Sequence, residues 1–219
     1  MAELNILHND PKVFTIDNYL SNEEKVHFLK LGLPQLQDSV VSSTNGGVSS
    51  AGRTSKTSWI PHKTSDITLR VAQRIANLVE IPLENAESFQ FVYYDENGEY
   101  RPHYDSWNHD GSEKALRNVK FGGPRVLTSL IYLNTAQEGG DTRFTKLDIN
   151  VKAESGKLLV FENTHKDGYT KHLQSEHAGT PVIKGKKYIL NLWFRHKDKS
   201  KLYIQTNPAY YEKLESKGT

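Results

Sequence analysis

The sequence predicts an α+β fold that is mainly β: a sandwich or barrel of short strands buttressed by helices. Two observations carry this. Helical patterns with start signals fall in the first 80 residues, and four strand-like runs rich in branched and aromatic residues follow. Glycine turns at Asn97-Gly98, Gly122-Gly123-Pro124, Gly139-Gly140 and Lys184-Gly185 punctuate the second part.

Residues 14–19 alternate apolar and polar positions and read as a first strand. Ser21 followed by Glu24 is a capping-box pattern, which opens a helix through about Leu33. Its apolar residues Val26, Phe28, Leu29 and Leu31 are only partly periodic and leave its register open. Residues 39–55, rich in Ser, Thr and Gly, read as a mobile loop, either functional or a plain connection. A second helix runs from Thr64 or Ser65 to Val79, with Ile67, Val71, Ile75, Leu78 and Val79 near 3.6-residue spacing. After Pro82 come strand-like runs at 88–94, 126–133, 157–161 and 188–194. No internal repeat or second apolar core is visible. The expectation is one domain over 1–219: helical support to about 82, a β core over about 83–196, and a charged, Tyr-bearing tail at 197–219 that drapes over it.

The chain has 28 basic against 26 acidic residues, a net charge of +2, which demands neither nucleic acid nor an acidic membrane as partner. It has no cysteine, so disulfides and thiolate ligands are excluded and any metal must use His, Asp or Glu. Residues 1–12 lack the apolar core of a secretory signal, and no apolar run reaches membrane-span length. The expectation is a soluble cytoplasmic or intracellular protein without nucleic-acid or membrane partners.

A His-x-Asp pair on a strand points both side chains to one face. With one more His it makes the 2-His-1-carboxylate set that leaves positions open on non-haem Fe(II). Four such pairs occur: His8/Asp10, His103/Asp105, His165/Asp167 and His196/Asp198. His8/Asp10 runs into Pro11 with no strand expected to orient it. His165-Lys166-Asp167-Gly168 reads as a turn, and His196/Asp198 lies in a charge run. His103/Asp105 follows the strand-like Phe91-Val92-Tyr93-Tyr94 and a glycine turn, among Tyr100, Pro102 and Tyr104. For the third ligand, His177 precedes Ala178-Gly179-Thr180-Pro181-Val182, where small residues allow close approach; His109, His165 and His172 compete. On the last strand, Tyr188, Leu190, Leu192 and Phe194 share one face, and Lys187, Asn191, Trp193 and Arg195 share the other. That second face meets either water or a desolvated pocket in which Lys187 pairs with a carboxylate.

Together these residues resemble the prolyl 4-hydroxylase branch of the Fe(II)/2-oxoglutarate oxygenases, over residues 14–195. The matching order is Tyr94, Gly98, His103-Tyr104-Asp105, and then His177 through Pro181-Val182 and Gly185 to Lys187, with Trp193 six residues on. Gly122-Gly123-Pro124-Arg125, Ile131-Tyr132-Leu133-Asn134 and Gly139-Gly140-Asp141-Thr142-Arg143-Phe144 look like the family's middle strands. The resemblance implies a double-stranded β-helix, a jelly-roll barrel with N-terminal flanking helices. It implies iron on His103, Asp105 and His177, and 2-oxoglutarate held by Lys187 with Tyr94, Thr142 and Trp193. It places Arg53, Ser55, Tyr100 and Arg125 on the substrate side, with residues 39–55 as a lid. O2 is the co-substrate and ascorbate the reductant, and the implied reaction is 4-hydroxylation of proline in an extended, Pro-rich peptide with release of succinate and CO2. The same chemistry on another acceptor (free proline, another side chain or another prolyl carbon) and a non-catalytic jelly-roll binding module are the rivals.

The chain departs from the pattern in four places. The glycine turn is shifted by one residue, and an extra polar stretch occupies 106–118. Arg195 stands where many relatives carry His, and Trp107 has no assigned counterpart. Without cysteines or an added peptide-binding domain, the chain resembles the short bacterial, algal or viral forms.

Overall fold

The structure is a computed structural model that describes residues 3–43, 46–48, 52–107 and 111–203. In chain order the elements are β1 (Leu4–Asn9), β2 (Lys12–Ile16), α1 (Asn22–Gly32), β3 (Gln37–Asp38), β4 (Val41–Ser43), β5 (Gly46–Val48) and β6 (Lys56–Ile60). Then come α2 (Asp66–Val79), β7 (Phe89–Tyr94), β8 (Tyr100–His103), α3 (Glu113–Val119), β9 (Arg125–Tyr132), β10 (Glu138–Gly139) and β11 (Thr142–Phe144). The chain closes with β12 (Ile149–Val151), β13 (Leu158–Glu162), β14 (His177–Gly179), β15 (Val182–Lys184) and β16 (Lys187–Arg195).

Eight strands form the major sheet in the order β1-β2-β13-β9-β16-β7-β6-β3, and four form the minor sheet, β12-β11-β14-β8. All named pairings are antiparallel. The two facing sheets are the walls of a double-stranded β-helix that is not closed into a continuous barrel. The first 82 residues supply helices and also strands β1, β2, β3 and β6, which extend the major sheet.

Both helix starts follow from local chemistry. Ser21 accepts a hydrogen bond from the Glu24 N–H while the Glu24 carboxylate accepts from the Ser21 N–H, which satisfies two orphan donors of α1. Arg74 of α2 reaches the same carboxylate through both Nη1 and Nη2 at 3.0 Å, so one side chain caps α1 and ties it to α2. Ser65 caps α2, with Thr68 in the reciprocal position. Val71, Ala72, Ile75 and Ala76 of α2 pack with Phe28 of α1 on Phe89, Phe91, Leu190, Leu192 and Phe194 of the major sheet. Gly32 lets α1 approach closely, since a Cβ there would stand 2.3 Å from the Phe91 ring. A second cluster, including Val92, Leu130, Phe144, Phe161 and Ile189, fills the space between the sheets.

Several local expectations shift. The strand expected first, at 14–19, is β2, Lys12–Ile16, and ends before Asn18, whose φ of +51° turns the chain. His8 lies in β1, contrary to the strandless segment expected there, because residues 4–9 pair with β2. Asp105 lies two residues beyond β8, so the His103/Asp105 pair is split between a strand end and the loop after it. The 39–55 segment carries the β4–β5 hairpin and is pinned at its base, where the Ser39 N–H donates to the Ser55 carbonyl at 2.9 Å; residues 44–45 and 49–51 lie outside the described set. Part of the extra polar stretch forms α3, while His109 lies outside the described residues. Of the tail, the beginning packs back on the domain: the Tyr203 N–H donates to the Lys120 carbonyl and its ring covers Gly123. Residues 204–219, with Tyr210 and Tyr211, lie outside the described set. Among the described residues no helix is long and apolar enough to cross a membrane.

Candidate metal and co-substrate site

Between the sheets, functional side chains meet as cross-strand partners. In the β14–β8 pairing His177 stands opposite His103, with ring centroids 4.3 Å apart and planes at 57°. Asp105 comes in from just past β8: its Oδ1 lies 3.6 Å from His103 Nε2 and its Oδ2 lies 3.7 Å from His177 Nε2. The three can hold one metal ion between them.

Hydrogen bonds fix which nitrogen is free on each ring. His103 Nδ1 lies 2.9 Å from the Arg101 carbonyl, and His177 Nδ1 lies 2.9 Å from the Ser175 carbonyl. A carbonyl can only accept, so each Nδ1 carries a proton, and in the neutral ring each Nε2 turns a bare lone pair towards Asp105. Asp105 Oδ2 accepts from Trp193 Nε1–H at 2.9 Å and from the Thr128 hydroxyl at 2.7 Å. Trp193 and Thr128 face each other across β16 and β9, so one register delivers both donors. Asn163 Nδ2–H in turn donates to Thr128 Oγ1 at 2.8 Å, which sends the Thr128 proton to the carboxylate. Burial would raise the Asp105 carboxyl, but the positive charge that His177 and His103 carry when protonated, and then the Arg125 guanidinium, hold it well below the usual range. For His177, burial and then the neighbouring His103 push the imidazole down to about 4. An oriented two-imidazole, one-carboxylate set is the donor chemistry that suits non-haem Fe(II).

A second trio, Asp10, His165 and His172, also comes within ligand distance of one another. Its chemistry differs. His172 Nδ1 accepts the Gln174 N–H at 3.3 Å, which places the ring proton on Nε2, 3.4 Å from Asp10 Oδ1. That nitrogen donates to a carboxylate and offers no lone pair to a metal. Asp167, in the loop between, accepts the Tyr169 and Thr170 N–H groups, the turn role expected from Asp-Gly.

Lys187 opens β16 opposite Tyr94 of β7 and is 2% exposed. Burial lowers its ammonium to about 8, with only the more distant Asp141 opposing. Among the described residues no carboxylate lies in salt-bridge range of its Nζ. The Tyr94 and Tyr132 rings stand 5.2 and 5.6 Å from Nζ, and Gly179 leaves room beside it. Thr142 accepts the Tyr132 hydroxyl at 2.7 Å. A buried cation lacking a counter-ion, beside a hydroxyl-lined space that opens on the His/Asp set, fits an anionic ligand such as the distal carboxylate of 2-oxoglutarate.

The same cavity takes in Arg53, Tyr100 and Arg125. The Arg53 guanidinium stacks 4.8 Å over Tyr100 and donates to Ser55 Oγ and Gln90 Oε1. Ser55 is buried beneath it, bonded to Ser39 at 2.8 Å, and lies behind the cavity surface. Arg125 pairs bidentately with Glu87 at 2.7 and 2.8 Å and lies 3.6 Å over the Trp193 ring. Trp193 is therefore more than a pocket wall, since it also grips the carboxylate of Asp105. Sequence reasoning missed Thr128, Asn163 and Glu87. Thr128-Ser129 interrupts an apolar strand and is a legible sign of a buried polar demand, whereas nothing local marks Asn163 or Glu87.

Residues 89–195 match the model of the 2OG-Fe(II) oxygenase superfamily. A putative prolyl 4-hydroxylase of Acanthamoeba polyphaga mimivirus is 34% identical over 192 residues, covering 86% of this chain and 77% of that protein. Probable prolyl 4-hydroxylase 7 of Arabidopsis thaliana is 32% identical over 207 residues, covering 85% of this chain but 63% of the plant protein. Among solved structures, the viral collagen prolyl hydroxylase of Paramecium Bursaria Chlorella virus-1, in its 2OG complex, superposes with a TM-score of 0.66 at 22% identity, covering 84% of this chain and 95% of that one. That likeness shows the fold, the double-stranded β-helix. Sequence relatives on this scale settle the family: the chain belongs to the prolyl 4-hydroxylase family of Fe(II)- and 2-oxoglutarate-dependent oxygenases.

Proposed function

We propose that the chain is a peptidyl-prolyl 4-hydroxylase that uses Fe(II), 2-oxoglutarate and O2, with ascorbate as reductant. The observation that carries this reading is Lys187, without a counter-ion among the described residues, sharing one cavity with His103, Asp105 and His177, in a chain whose relatives bear the name prolyl 4-hydroxylase.

When bound, iron and 2-oxoglutarate supply an oxidant that places one oxygen of O2 on the substrate and the other in succinate, with loss of CO2. The protein binds and orients. His103 and His177 present Nε2 lone pairs, and Asp105 presents a carboxylate whose second oxygen is held by Trp193 and Thr128. Lys187 neutralises the far carboxylate of 2-oxoglutarate, with the Tyr94 ring 5.2 Å from its Nζ and Thr142 lining the same cavity. The apolar side chains of Leu130 and Ile189 exclude water from that end. On the substrate side, Arg53 and Tyr100 form a cation–aromatic shelf, and Ser55 holds Arg53 in place. An extended peptide in polyproline II form suits such an aromatic groove, because its shape is set before binding.

The test is succinate formation by Fe(II)-loaded protein with 2-oxoglutarate and ascorbate, with and without a Pro-Ala repeat peptide. Peptide-stimulated succinate with one added oxygen on proline is the expected result. Succinate without peptide dependence shifts the acceptor to another compound, and no succinate from iron-bound protein leaves a binding module.

A further inference from the structure

Trp59 of β6 stands between two cavities. It lines the cavity that holds the His/Asp set, and it also lines a neighbouring cleft of about 360 Å³ together with Glu87, Arg117, Phe121, Arg195 and Lys199. Its ring is 48% exposed and lies 6.1 Å from that of Trp193. Trp193 is 4% exposed and donates its indole N–H to Asp105 Oδ2. Two neighbouring indoles thus lead from solvent to the candidate metal set.

The cleft is positively charged. Arg117, Arg195 and Lys199 line it with one carboxylate, Glu87, which already pairs with both Arg125 and Arg195. Arg195 also donates through Nη1 to the carbonyls of Asn118, Phe121 and Gly123, so its guanidinium is a fixed part of the wall. Lys199, just past β16, is exposed, and among the described residues no carboxylate lies in salt-bridge range of its Nζ. A concave surface with excess positive charge concentrates small anions, and this one has the size of a small-molecule site.

We propose that this cleft docks the anionic reductant, an ene-diol of the ascorbate class, and that Trp59 and Trp193 carry its electrons to the metal site. With no peptide in place, the oxidant formed from O2 has no substrate C–H bond to attack. It takes an electron from Trp193, Trp193 takes one from Trp59, and Trp59 takes one from the docked anion. While Trp193 lacks its electron, the Asp105 carboxylate stabilises the positive charge, and Glu87 offsets the Arg125 guanidinium that lies over the ring. Two ascorbate monoanions give up two electrons and two protons and leave as radicals. Those electrons and protons turn the oxygen of the oxidant into water and leave the iron as Fe(II). The inference rests on the oxygenase reading of the site.

Mapping of added oxygen by mass spectrometry tests it, in Fe(II)-loaded protein given 2-oxoglutarate and O2 without peptide. Lacking ascorbate, the wild type should gain oxygen on Trp59, and with ascorbate it should gain none. In Trp59→Phe the added oxygen should move to Trp193, and ascorbate should no longer protect. Oxygen on Trp193 instead of Trp59 in the wild type, or full protection of Trp59→Phe by ascorbate, overturns the relay. Lys199→Glu should raise the ascorbate concentration that half-protects Trp59 at least about threefold, with protection by the uncharged reductant dithiothreitol unchanged. An equal ascorbate requirement in wild type and Lys199→Glu overturns the docking cleft. If the protein forms no succinate with or without peptide, the oxygenase reading itself fails. The cleft is then judged by NMR of the metal-free protein, where ascorbate should shift the Trp59 indole N–H signal in the wild type and shift it less in Lys199→Glu. No shift in the wild type, or equal shifts in both, overturns it.

Discussion

The indole N–H of Trp193 lies 2.9 Å from Oδ2 of Asp105, so the strand that begins with the Lys187 cation also holds the carboxylate of the candidate metal set. A hydrogen bond of this kind fixes the carboxylate rotamer before any ion arrives. Trp193→Phe keeps an aromatic ring on this strand and removes the donor. Metal affinity should fall at least about tenfold, read by Co(II) titration in the visible spectrum. Unchanged affinity would show that the bond orients nothing.

Thr128 is 1% exposed and stands between Asn163 and Asp105. Thr128→Val preserves the shape, but it removes a donor from the carboxylate and leaves the Asn163 amide buried without its acceptor. The expected cost is about 1–3 kcal/mol of stability, measured by urea unfolding. Thr128→Ser, which retains the hydroxyl, should cost less. Equal losses in the two variants would assign the effect to packing.

The two His/Asp trios make opposite predictions. His177→Ala should abolish iron binding and turnover in a folded protein, because its Nε2 lone pair has no substitute. His172→Ala should leave iron stoichiometry intact, since that ring offers an N–H where a ligand needs a lone pair. Iron quantified per chain after gel filtration checks both, and the reverse pattern would move the metal to the Asp10 cluster.

Lys187 must be charged to pair with a carboxylate, and burial has brought its folded value from the usual 10.5 to about 8. Above pH 8 the free protein sheds this proton, so binding 2-oxoglutarate must take one up. Its Kd should be flat below pH 8 and then rise, approaching about tenfold per pH unit. The empty protein should gain stability over the same interval, because the unfolded chain still holds the proton that the folded one has lost. A Kd independent of pH between 7 and 10 would remove Lys187 as the counter-ion.

Lys187→Ala and Arg53→Ala should separate the two ends of the cavity. The first deletes a charge-assisted contact and should raise the 2-oxoglutarate KM by at least about tenfold, with a smaller effect on peptide. The second should raise the peptide KM and leave iron binding unchanged. Parallel effects on both ligands in either variant would mean that its residue acts through general stability.

The sequence alone determined whatever depends on near neighbours. Ser21 and Glu24, and Ser65 after the 39–55 segment, start helices because capping is satisfied within three residues. The alternation from Lys187 to Arg195 separates a face for the helices from a face for the cavity because strand side chains have a period of two. Tertiary structure alone decided what depends on register and burial. Four His-x-Asp pairs look alike in the chain, and only His103/Asp105 is brought, by the β8–β14 pairing, against a histidine whose Nε2 is free. Thr128 meets Asp105 across 23 positions, and Glu87 meets Arg125 and Arg195 across 38 and 108. No local pattern encodes such meetings, because the energy that selects them is the cost of leaving a charge or a polar group unpaired once the sheets have closed over it.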